Sequence, residues 1–113
     1  MSNQSGSQAP TGEIIARTKD GLQVPNHPII PVIRGDGTGV DITPVMIKVI
    51  DAAVEKAYSG KKKIAWMKVL AGDEAIETNH PELSEEEIIA IPPDERQKLY
   101  LPQETVDAIR KYL

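Results

Sequence analysis

The residues whose type and spacing could do chemistry are three alternate glycines, Gly35, Gly37 and Gly39, in the stretch Arg34-Gly35-Asp36-Gly37-Thr38-Gly39-Val40-Asp41. Glycine accepts backbone dihedrals closed to other residues and leaves space where a Cβ would stand. Three so close together mark a tight turn that something approaches closely. Such a turn is either the floor of a ligand-binding cleft or a sharp corner. The dinucleotide fingerprint would need its last glycine where Val40 stands. A phosphate loop would need a lysine directly after the glycines, and the next one is Lys48. The acidic residue that should close the following strand about twenty positions on would be Glu55, inside a helical pattern instead. The loop is therefore a glycine turn of another kind.

Other candidate chemistry is sparse. The chain has no cysteine, which removes disulfides, thiolate nucleophiles and cysteine-zinc sites. His27 and His80 each precede a proline in turn-like surroundings, without a second histidine or a carboxylate set to make a metal site or a base. Glu85-Glu86-Glu87 reads as a solvated helix start, because neighbouring carboxylates on a short helix do not converge on one ion. Lys61-Lys62-Lys63 reads as a solvated helix end. No metal ligand and no catalytic residue is assigned from these patterns.

The elements that must position the glycine loop can be read from periodicity. Ile29 to Ile33 is an apolar, β-branched run expected as a strand covered on both faces, with Pro31 placed on an edge or an irregular part of the ladder because it cannot donate to one. From Ile42, apolar residues recur at Val45, Met46, Val49, Ile50, Ala53 and Ala57, the stripe of a helix over 42–58. Asp41 is its expected N-cap, Pro44 falls in its first turn, and Ser59-Gly60 supplies the stop. Ile64 to Leu70 then reads as a second strand, parallel to the first through a βαβ crossover. That places the loop at the carboxyl edge of its strand, where open α/β sheets bind ligands.

Around this unit, Glu13–Thr18 and Leu22–Val24 flank an Asp20-Gly21 turn signal and predict a hairpin. Residues 71–100 are less regular. Ser84 and Glu87 have the form of a capping box that opens a short helix, with Pro92-Pro93 as its stop. A last helix begins after Pro102, with Thr105, Val106, Ile109 and Tyr112 or Leu113 on one face. No Gly or Pro punctuates it, so Leu113 reads as a cut.

With 113 residues, 40% of them hydrophobic and 27% charged, the chain has the composition of a small globular domain. A net charge of −4 with scattered lysines provides no basic footprint, so nucleic acid is not an expected partner. No apolar run approaches membrane-spanning length, and residues 1–12 lack the features of a secretory signal; a cytoplasmic protein is expected. These small, polar residues 1–12 are expected as a disordered tail. The absence of Phe, with one Trp and three Tyr, hints that the chain buries surface against something outside it.

Several stretches together resemble the amino-terminal part of the bacterial NADP-dependent isocitrate dehydrogenases, in the isocitrate/isopropylmalate dehydrogenase family. They are Val24-Pro25-Asn26-His27-Pro28-Ile29-Ile30-Pro31, the loop from Gly35 to Asp41, Val49 to Tyr58, and Leu101-Pro102-Gln103-Glu104-Thr105 with Ile109-Arg110. The resemblance implies an α/β fold in which residues 13–113 form an incomplete amino-terminal portion of the large domain. A hairpin, a βαβ unit and a further helix follow one another there, with 71–100 as a surface insertion. It implies oxidation of isocitrate by NADP and decarboxylation to 2-oxoglutarate with Mg²⁺ or Mn²⁺, by an enzyme that is usually a homodimer. The family's catalytic and metal-binding residues lie in later sequence, so this segment alone is expected to be inactive. Thr38 and Gly39 match positions near the nicotinamide end of NADP, while Asp36 is expected to bond amides of its own turn. Two alternatives stand beside this reading: a related enzyme acting on isopropylmalate, and a non-catalytic α/β module that binds a nucleotide or a partner.

Overall fold

The computed structural model describes residues 10–113. Its elements in order are β1 (Ala16–Thr18), β2 (Gly21–Gln23), β3 (Ile29–Val32), α1 (Gly39–Tyr58), β4 (Ala65–Lys68), α2 (Asp73–Asn79), α3 (Glu85–Ala90), α4 (Pro93–Tyr100) and α5 (Gln103–Tyr112). The expected α/β class, with hairpin, βαβ unit and terminal helix, is present. Among the described residues no helix is long and apolar enough to cross a membrane.

β1 and β2 pair antiparallel, with Thr18 opposite Gly21, so the hairpin turn is Lys19-Asp20 and Gly21 belongs to the strand. The Thr18 hydroxyl closes this turn, donating to the Gly21 carbonyl and accepting the Asp20 N–H. The chain then joins β3 through Glu13, whose N–H donates to the His27 carbonyl and whose carbonyl accepts the Ile29 N–H, both at 2.9 Å. Residues 1–9 of the expected tail lie outside the described residues. At its far end Gly12 is packed: a Cβ there would stand 2.7 Å from the His27 carbonyl oxygen and 2.8 Å from Ala65 Cβ.

β3 and β4 pair in parallel, Ile29 opposite Ala65 and Val32 opposite Lys68. Among the described residues this is a two-stranded sheet, so Pro31 does lie on an edge strand. The core joins Ile29, Met67 and Val69 to Ala108 and Tyr112 of α5. Beyond Ile29, β3 is only half-buried, short of the expected cover on both faces, because one face alone receives α5.

α1 starts three residues earlier than its sequence stripe suggests. Thr38 occupies the N-cap position, and the turn bonds Val40 N–H to Gly37 O and Asp41 N–H to Thr38 O lead directly from the glycine loop into the helix. Asp41 therefore lies in the first turn rather than at the cap, and Pro44 lies inside the helix. The expected stop holds: Ser59 and Gly60 take φ of 54° and 78°, and both N–H groups donate to the Glu55 carbonyl. The helix follows the expected stripe only in part. Its half-buried residues include Thr43, Met46, Ile47, Ile50 and Val54, whereas Ile42, Val45 and Val49 are exposed. α1 is apolar over two adjacent arcs, and the expected stripe spans both: Met46 and Ile50 lie on the inner one, Ile42, Val45 and Val49 on the outer.

Residues 71–100 hold three helices where one was expected. The capping box forms as read: Ser84 Oγ accepts the Glu87 N–H, and Glu87 Oε1 accepts the Ser84 N–H. Pro92-Pro93 both ends α3 and starts α4, since a proline in the first turn forfeits no helical hydrogen bond. α2 is not a surface element throughout, for Glu74, Ala75 and Ile76 are buried. α5 turns Thr105 and Tyr112 inward, as expected, with Ala108 buried between them and Ile109 exposed; the Thr105 hydroxyl donates to the Leu70 carbonyl at 2.6 Å.

Candidate functional site

Because β3 and β4 are parallel, both chains leave the sheet at the same edge. The exit from β3 is the glycine loop, and the exit from β4 leads through Gly72 into α2. The three loop glycines are required for different reasons. Gly35 and Gly37 have φ of +82° and +57°, where side chains are strained. Gly39 has no such φ, but a Cβ on it would stand 2.6 Å from the Arg34 carbonyl oxygen. That oxygen also accepts the Thr43 hydroxyl at 2.6 Å, which fastens the end of β3 to α1.

The side chains at this edge form an ionic cluster. The Glu74 carboxylate is buried, its side chain 9% exposed, and Lys68 Nζ donates to its Oε2 at 2.6 Å. Arg34 reaches over the same place, with Nη1 3.9 Å from both Glu74 Oε2 and Glu77 Oε2, and Nη2 4.0 Å from Asp36 Oδ1. Its Nε donates to the Gly35 carbonyl at 3.1 Å. Glu74 Oε1 is buried without a hydrogen-bond partner among the described residues. A carboxylate in that position is held by the two cations beside it, since a buried charge without compensation is expensive.

Thr38 stands outward on this loop. It is exposed, and although it occupies the N-cap position its side chain makes no capping bond. Around Gly37 the surface is open, with no atom within 4 Å of where a Cβ would be. Gly39 faces the other way, toward Arg34, and its N–H donates to the Asp36 carbonyl at 2.9 Å. Asp36 does not bond amides of its own turn with its carboxylate, as its position in the sequence suggests. Oδ1 instead accepts the N–H of Asp73, thirty-seven residues on, at 2.9 Å. Nothing local in the sequence pairs positions 36 and 73, or brings Arg34 to Glu74; the parallel register does both.

The described residues contain no group of three or more His, Cys, Asp or Glu placed to hold a metal ion. At this edge Asp36, Glu74 and Glu77 lie within ion-pair reach of Arg34, and Glu74 also of Lys68.

No known family profile matches the chain. Individual proteins do. It is 51% identical over 104 residues to isocitrate dehydrogenase [NADP] of Pseudomonas aeruginosa (strain UCBPP-PA14), an alignment covering 91% of this chain and 21% of that protein. By sequence, the chain belongs with the NADP isocitrate dehydrogenases. The proteins of the same name from Helicobacter pylori (strain ATCC 700392 / 26695) and Staphylococcus aureus (strain Mu50 / ATCC 700699) are 48% and 47% identical, each over 103 residues. Those alignments cover 89% and 91% of this chain, but 22% and 20% of the relatives. The chain thus spans about a fifth of the length of the curated relatives it matches.

Proposed function

We propose that this chain forms the amino-terminal part of the large domain of an enzyme that oxidises isocitrate with NADP and releases CO₂ and 2-oxoglutarate. The observation that carries the reading is near-50% identity across nine-tenths of the chain to proteins named for that activity. The glycine loop at the carboxyl edge of the parallel pair supports it, because ligands of open α/β sheets bind there. In this reading Thr38 offers its uncommitted hydroxyl to the nicotinamide end of NADP, and the open side of Gly37 admits the cofactor. Gly39 shapes the loop from behind. NADP supplies the hydride acceptor. The chain's own contribution is a wall of the cofactor cleft, held in place by Arg34, Thr43 and α2. The divalent ion, Mg²⁺ or Mn²⁺, would be held by residues outside this chain.

The same reading includes a cytoplasmic homodimer. Residues 71–100 are an addition to the shared fold that packs its first helix against the loop. The 113-residue chain alone does not turn over. NADPH formation with isocitrate and Mg²⁺, followed by absorbance, tests both halves of the proposal. Turnover is expected for the intact protein carrying this sequence and not for the chain alone. An intact protein that reduces NADP with isopropylmalate but not isocitrate would replace the substrate.

A further inference from the structure

We infer that Asp36 is a positioning residue. With Gly72 it forms a latch through which the start of α2 sets where the glycine loop stands, and so where Thr38 meets the dinucleotide; this last step rests on the function proposed above. Asp36 lies between Gly35 and Gly37, the two residues of the loop with positive φ and the freest backbone. Turn bonds such as Gly39 N–H to Asp36 O and Val40 N–H to Gly37 O hold the loop locally, together with the adjacent Arg34, whose Nε donates to the Gly35 carbonyl. Among the described residues, Asp36 is the one side chain of residues 35–39 that reaches another part of the fold.

What it reaches is rigid and shaped to receive it. Asp36 Oδ1 accepts the Asp73 N–H at 2.9 Å, a bond strengthened by the charge of the acceptor. The same carboxylate lies flat on Gly72. A Cβ at that position would stand against Oδ2, with Cγ and Oδ1 at 2.9 Å. Gly72 has φ +68° and ψ −144°, a conformation that side chains rarely adopt. The receiving end is anchored in turn: Gly72 N–H donates to the Tyr100 carbonyl at 2.7 Å, and Ala75 N–H returns to the Gly72 carbonyl at 3.1 Å. The buried residues Glu74, Ala75 and Ile76 fix α2 behind it. Arg34 braces the arrangement through Glu74 and Glu77.

The side chain of Asp36 is 43% exposed, so the latch adds little to global stability and acts on loop geometry instead. In the intact protein, Asp36→Ala is expected to raise KM for NADP about fivefold to tenfold while kcat and KM for isocitrate stay within about twofold. Asp36→Asn keeps an acceptor oxygen and should restore most of the wild-type KM. Gly72→Ala should also raise KM for NADP. Added to Asp36→Ala it should raise KM by less than the product of the single effects, because the methyl no longer meets a carboxylate. Hydrogen exchange at Asp73 should speed up about tenfold or more in Asp36→Ala and not in Asp36→Asn. Equal falls in kcat and kcat/KM, independent multiplication of the two substitutions, or unchanged exchange at Asp73 would each overturn the latch. If the wild-type protein fails to reduce NADP with isocitrate, the proposed activity falls, while exchange at Asp73 still decides the latch.

Discussion

Helices α1 and α5 are both tied to the same pair of strands, and they are stabilised in opposite ways. α5 has ten residues and buries Thr105, Ala108 and Tyr112 against β3 and β4. α1 has twenty and buries none. It is fastened by polar contacts at particular points: Thr43 to the Arg34 carbonyl, Asp51 to the Trp66 indole at 2.9 Å, and the Glu55 carbonyl to the residues of its C-cap. Most helical stability in proteins comes from packing an amphipathic face. In this chain α5 follows that rule, whereas α1 relies on its own hydrogen bonds and a half-covered inner face. Its outer arc, Ile42, Val45 and Val49, is 58–62% exposed.

Substitutions can break this contrast. Tyr112→Ala removes the largest side chain that α5 buries, and should lower unfolding free energy by about 3 kcal/mol in urea denaturation. Thr105→Val leaves the Leu70 carbonyl without its donor and should cost about 1–2 kcal/mol by the same measurement. On α1, Trp66→Phe keeps the ring packing but strands Asp51, for an expected loss of about 1 kcal/mol. Val49→Ser on the outer arc should change the stability of the chain by no more than about 0.5 kcal/mol, read from the urea midpoint. A loss above about 1 kcal/mol there would mean that the outer arc is covered after all, and the difference between the helices would disappear.

The local signals were legible in the sequence because their physics is local. The hairpin, the Ser84–Glu87 capping box and the Ser59-Gly60 stop each rest on residues a few positions apart. What required the fold is different in kind. Periodicity identified α1 as a helix but could not choose between two adjacent apolar arcs, since that choice is made by β4 and Trp66. α4 was hidden because its polar residues carry no stripe and Pro93 reads as a breaker until its place in the first turn is known. For the glycine loop, the sequence showed a turn but not that Gly39 is needed for contact with Arg34 while Gly35 and Gly37 are needed for their φ. Asp36 was legible as structural, and its partner was not, because only the parallel register brings residue 73 within reach.

The bond between Trp66 and Asp51 has a practical consequence. The chain contains one tryptophan, and the structure places its indole N–H on the carboxylate of a residue midway along α1. Its fluorescence is therefore a built-in optical probe of a single event, the docking of α1 on β4. Far-ultraviolet dichroism reports on all the helices together. Should α1 detach before α5 as denaturant rises, the tryptophan signal would move first, and the two transitions would separate without any label being attached.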